Sequence, residues 1–168
     1  MTDNATSDET EIETKESSLI IRRTFAASRE RVWKAWTDPE QVIQWWGPNG
    51  FTTTVHEMDV KPDGVWRFVM HGPDGVDYPN EIVYEEIVEP ERLVYTHRSN
   101  EENDPGSFQV TVTFVEQEDT KTELTMRQLY KSAAEFDKSV EEFGAIEGAI
   151  QTLDHLAEYV EQFEETSP

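Results

Sequence analysis

The sequence contains no cysteine, which excludes disulfide bridges, thiolate nucleophiles and cysteine-based zinc sites. Cations are scarce as well: 14 Lys and Arg stand against 36 Asp and Glu, for a formal net charge of -22. A chain so acidic has no basic face for a phosphate backbone, and nucleic acid is not an expected partner. No apolar run is long enough to span a bilayer. The N-terminal stretch MTDNATSDETEIETKESS has neither a basic n-region nor an apolar h-region, so a cytoplasmic protein is expected. Histidines are few, and His56, His71, His97 and His155 show no HExxH or other pairing that would put two ligands on one helix face, so no metal site is expected. Hydroxyl residues abound, yet there is no GxSxG elbow, and no spacing ties a hydroxyl to a histidine and an acid. WWGPNG and GAIEG lack the spacing of a phosphate loop, GAIEG does not match the dinucleotide fingerprint, and no cofactor is expected.

What remains is enough for one well-packed domain. A chain of 168 residues buries about 70% of its unfolded surface without metal or disulfide staples. The acid excess repels itself at low ionic strength and is screened in molar salt, where the Debye length falls to about 3 Å, which suggests a host with a salt-rich cytoplasm, a halophile, the alternative being an ordinary acidic protein with an acidic tail. Met1 to Ser18 is polar and acidic, and is expected to form a disordered tail ahead of a single domain over residues 19–165.

Leu19 to Phe25 (LIIRRTF) reads as a strand, and Ser28 then caps a helix carrying Val32, Trp33 and Trp36 inward. A second short helix follows, with Asp38 as N-cap, Pro39 at its first position, Gln41 at the capping-box position, Gly47 as its end and Pro48 as its stop. Trp45 and Trp46 fall in its last turn; neighbours on a helix point about 100° apart, so one ring is expected inside and the other toward a rim. From Phe51 to Tyr130, strand signals recur between turns at Pro62-Asp63-Gly64, Pro73-Asp74-Gly75, Glu89-Pro90-Glu91 and SNEENDPGS, as in a long antiparallel meander. The C-terminal stretch has helical period, with Phe143, Ile146, Ala149, Ile150, Leu153, Leu156, Ala157 and Val160 on one apolar stripe that should pack across the sheet. Gly144 and Gly148 fall outside the stripe and mark either a helix start or a close approach.

The ordered words RTFAASRERVWKAWTDPEQVIQWWGPNGF, VWRFVMHGPDG, IVEPERLVYT and GAIEGAIQTLDHLAEYV, spread over about Leu19 to Val160, resemble the START-like (SRPBCC, helix-grip) superfamily. More narrowly, they resemble prokaryotic homologues of the activator of heat-shock protein 90 ATPase. The resemblance implies an α+β helix-grip fold: a curved antiparallel sheet wrapped around a long C-terminal helix, with two short helices after the first strand. It also implies a cavity between sheet and helix that accepts apolar small molecules, with Trp45, Trp46, Gly47 and Pro48 near its mouth. The eukaryotic chaperone activators carry a further N-terminal domain with an Asn-rich, Trp-containing motif that is missing here, so a chaperone partner is disfavoured.

The expected function is therefore binding of an apolar or amphipathic small molecule. Trp66, Phe68, Tyr84, Tyr95 and Phe108, with Met70 and Met126, suit either an ordinary core or a ligand cavity. Arg127 suits an anionic ligand group or a salt bridge. Glu147, flanked by GAI and a glycine, suits a proton-transfer role if it faces an apolar cavity and a solvated one if it does not. The alternative is a cyclase- or hydrolase-like enzyme using Glu147, His56 or Tyr84. His56 lies near Glu57 and Asp59, but adjacent strand residues face opposite sides, so no acid–base set is visible.

Overall fold

The computed structural model describes residues 10–99 and 107–166. Its first strand, β1 (Thr10–Lys15), pairs antiparallel with β2 (Ser18–Phe25), with Lys15 opposite Ser18 across a turn where Glu16 takes a φ of 50°. The expected acidic tail through Ser18 is thus corrected over its second half. TEIETK alternates: Thr10 is buried and Ile12 half-buried against the core, while Glu11 and Glu13 stay outside. Backbone pairing with β2 supplies what composition alone did not. Residues 1–9 of that expected tail and the core of the expected loop SNEENDPGS lie outside the described residues.

The chain continues through α1 (Arg29–Thr37), α2 (Pro39–Val42), β3 (Thr52–Met58), β4 (Val65–His71), β5 (Asp77–Val88) and β6 (Arg92–Ser99). It ends with β7 (Phe108–Gln117), β8 (Lys121–Tyr130), α3 (Ala133–Phe143) and α4 (Ala145–Thr166). The eight strands form one antiparallel sheet in the order β1-β2-β8-β7-β6-β5-β4-β3, open at its β1 and β3 edges. Register shifts at His56 in β3 and Glu85 in β5 mark bulges, and the extra residue in each bends and twists its strand, which helps this long sheet to curl. This is the α+β helix-grip architecture.

Local chemistry sets the helix ends. The Ser28 hydroxyl accepts from the Arg31 N–H at 3.2 Å and starts α1, which buries Val32, Trp33, Ala35 and Trp36. The Asp38 carboxylate accepts from the Glu40 N–H at 2.9 Å and starts α2, with Pro39 where no donor is needed. The C-terminal helical stretch is two helices. Gly144, at φ 61°, ends α3 in the left-handed conformation that glycine adopts freely, and α4 restarts behind it. α4 buries Leu153, Leu156, Ala157 and Val160 in the core, each large side chain contributing about 1.5–3 kcal/mol of burial. Ile146, Ala149 and Ile150 are half-buried, and the side chain of Phe143 lies outside the described residues. Arg23 of β2, itself buried, forms an ion pair with Asp154 and fixes α4 to the sheet.

A candidate ligand pocket between sheet and helix

The turn after α2 builds one wall. Its helical bonding runs on past Val42, since the Trp46 N–H donates to the Val42 carbonyl at 3.0 Å. Trp45 is 2% exposed, and its indole N–H donates to the Ala35 carbonyl at 3.0 Å, which locks it into the core. Trp46 is half-buried and meets four rings edge-on: Trp36, Trp45, Trp66 and Phe68, at centroid distances of 5.5, 5.4, 4.8 and 5.8 Å. Two rings about 100° apart on a helix are not expected to share one target, but Trp45 and Trp46 do share Trp36, because that ring is wide enough to receive both. Trp46 is therefore a fixed wall. Beyond it the chain turns at Gly47, φ 115°, where a Cβ would stand 3.3 Å from the Phe51 Cβ.

Behind this wall lies a pocket of about 280 Å³. Its floor is the concave face of the sheet, with Met70, Tyr95, Phe108, Val110 and Met126. Its roof is the α3–α4 region, where Gly148 and Ala149 present little bulk beside Leu153. Gly148 faces Pro48, where a Cβ would lie in ordinary contact, 3.9 Å from the proline's own Cβ. The same loop meets α4 through three polar contacts. His155 Nδ1 approaches the Gly47 carbonyl at 2.9 Å and Nε2 approaches Asn49 Oδ1 at 2.7 Å. The Asn49 N–H donates to Gln151 Oε1 at 2.9 Å.

Polar groups gather at one side of the pocket. The Ser139 hydroxyl of α3 donates to the Tyr130 oxygen at 3.2 Å, and the Tyr130 hydroxyl donates to Gln128 Oε1 at 3.0 Å. Burial raises the Tyr130 pKa, while the Ser139 bond pulls the other way. His97 Nε2 bonds Asn80 Oδ1 at 3.0 Å, and the Asn80 amide donates to the Tyr78 carbonyl at 2.9 Å; the imidazole therefore carries its hydrogen on Nε2. Burial pushes Tyr95 well above its ordinary value, with a smaller contribution from neighbouring Tyr84. The Trp36 ring lines the pocket, and its buried indole N–H has no hydrogen-bond partner.

Of the residues singled out from sequence, Trp46, Met70, Tyr95, Phe108 and Met126 line this pocket. Trp45, Trp66, Phe68 and Tyr84 fill the adjoining core. Arg127 and Glu147 are exposed and do not line it. Sequence reasoning missed Trp36, His97, Gln128, Tyr130 and Ser139. A signal existed for two of them: with Tyr95 and Met126 inward, period two puts His97 and Gln128 inward and Arg127 out.

Acid–base candidates are scattered. His56 is exposed in the β3 bulge, Tyr84 is buried and Glu147 is exposed on α4. Contrary to the spacing argument, one hydroxyl does meet a histidine and an acid. Thr54 Oγ1 lies 2.8 Å from His71 Nε2, and His71 Nδ1 lies 2.8 Å from Asp77 Oδ1. Antiparallel pairing of β3, β4 and β5 brings them together from distant positions, on the solvent side of the sheet and outside the pocket. Among the described residues, no group of three or more His, Asp and Glu is arranged to hold a metal ion.

A curved sheet gripping a helix over an apolar pocket defines a START-like, helix-grip domain. Residues 26–161 match the family model described as activator of Hsp90 ATPase homolog 1-like protein, and the chain belongs to that family. Among solved structures, it is similar to protein Ms6760 from Mycobacterium smegmatis, at 28% identity and TM-score 0.79 over 88% of this chain and 94% of that one. It is also similar to protein CV1439 from Chromobacterium violaceum, at 27% identity and TM-score 0.76 over 86% and 97%. A protein from Arthrobacter aurescens shares the fold, with 24% identity and TM-score 0.83 over 90% and 91%. No curated protein matches the sequence significantly.

Proposed function

We propose that this protein binds a largely apolar small molecule in the pocket between the sheet and α4, and that binding, not catalysis, is its activity. The observation that carries this reading is the pocket itself: about 280 Å³, walled by aromatic and aliphatic side chains with a few convergent polar groups. Native mass spectrometry tests it. Protein purified from its host is expected to carry extra non-covalent mass, lost in a Gly148→Phe variant whose ring fills the pocket. Bare mass, together with no thermal stabilisation by any member of an apolar fragment library, would overturn it.

The enzyme alternative needs groups converging on one substrate, and Glu147, His56 and Tyr84 stand apart. The chaperone reading rests on the family description alone. No helix among the described residues is long and apolar enough to cross a membrane. A cytoplasmic setting belongs to the proposal.

A further inference from the structure

Granted the reading of this pocket as a binding site, the side chains around it also specify what it holds. Gln128 sits on β8 opposite Val110, facing the pocket between Met126 and Tyr130. Its carbonyl oxygen is occupied, because Tyr130 donates to it at 3.0 Å and Ser139 donates to Tyr130 at 3.2 Å. With Oε1 turned to the Tyr130 hydroxyl, the amide nitrogen is on the other side of the group. What Gln128 then offers the pocket is its N–H pair. Trp36 contributes its ring to the pocket wall, while its indole N–H is buried out of reach of the void and without a partner.

Charge narrows the choice further. Among the described residues, none that lines the pocket is Asp, Glu, Lys or Arg, although the chain carries a net charge of -22. An anion would enter against that field and find no Lys or Arg partner. A cation would leave a favourable field for a pocket with no carboxylate, and an unpaired charge is costly to bury.

We infer that the pocket selects a neutral, mainly apolar molecule bearing an acceptor oxygen, such as a ketone or ester carbonyl, and that Gln128 is the specificity-determining residue, its amide held in donor orientation by Tyr130 and Ser139. Acetophenone, isopropylbenzene and benzoate share one ring and one branched substituent, and differ in that oxygen and in charge.

Titration of the full chain by proton–nitrogen correlation spectra reads all three. Acetophenone is expected to bind about tenfold more tightly than isopropylbenzene, a ratio equal to about 1.4 kcal/mol. Benzoate is expected to bind more weakly than either. Gln128→Met removes the donor, and Gln128→Glu removes it while still accepting from Tyr130. In each, the ketone preference should collapse toward onefold while isopropylbenzene affinity holds. Equal binding of ketone and hydrocarbon by the unmodified protein would overturn the anchor and leave the pocket reading standing, as would a preference that survives both variants. Benzoate binding tightest would overturn the neutral class. Failure of all three at millimolar concentration would overturn this inference, while the apolar library decides the pocket reading.

Discussion

Tyr84 and Tyr95 meet edge-on at 6.2 Å across β5 and β6, both almost wholly buried. Burial raises both pKa values above the usual tyrosine value of about 10, because the phenolate would be stranded in apolar surroundings. The unfolded chain loses these protons first as pH climbs past about 10, while the folded chain keeps them. Stability from this pair is therefore full below about pH 10 and falls above it. Each retained proton contributes a slope of about 1.4 kcal/mol per pH unit. Tyr84→Phe is expected to flatten the alkaline limb of a urea-melt series by one such increment, and an unchanged limb would contradict the assignment. Arg127 shows where the sequence stops being legible: it alternates with Met126 along β8, and only the register of that strand decides which of the two neighbours faces the pocket, since a shift of one residue changes the face.

Gly144 and Gly148 divide the C-terminal helical stretch, and they should respond in opposite ways to the same substitution. Gly144 sits at φ 61° with nothing within 4 Å of a Cβ, so Gly144→Ala meets only the left-handed backbone penalty, about 1–2 kcal/mol. Gly148 is helical with its nearest obstacle at 3.9 Å, so Gly148→Ala should stabilise by about 1 kcal/mol. For a chain of this size, thermal melts should move by about 2–4 °C per kcal/mol, down for the first and up for the second. A shift of the same sign in both would refute this account of the helix break. The period of the apolar stripe was visible in the sequence. The break was not, because a glycine at a left-handed cap and a glycine inside a helix are written with the same letter, and only backbone geometry tells them apart.

For the molecule as a whole, charge is the dominant unusual quantity. At a net charge of -22, folding concentrates repulsion that salt screens, with the Debye length shrinking from about 30 Å at 0.01 M to about 3 Å at 1 M. The melting temperature is expected to rise steadily from low to molar salt. Calorimetry at both ends checks this, and greater stability in low salt would sink the idea that the acid excess suits a salt-rich interior.

The sequence by itself determined the order of elements from β2 to β8 and the helical C-terminus, since strand alternation, the Ser28 and Asp38 caps and the apolar stripe of α4 are local patterns written within a few residues. It also determined the family, through words spread along most of the chain. Only the tertiary structure decided which aromatics are core and which are pocket: Trp45 and Trp46 are neighbours in the chain, yet one is bonded to Ala35 while the other faces the void. It alone decided that Gln128, Tyr130 and Ser139 form one relay, and that Thr10–Lys15 is a strand. The reason is the same in each case. These features depend on where sheet curvature, a helix break and a neighbouring strand put groups distant in the chain, and no local pattern carries that distance.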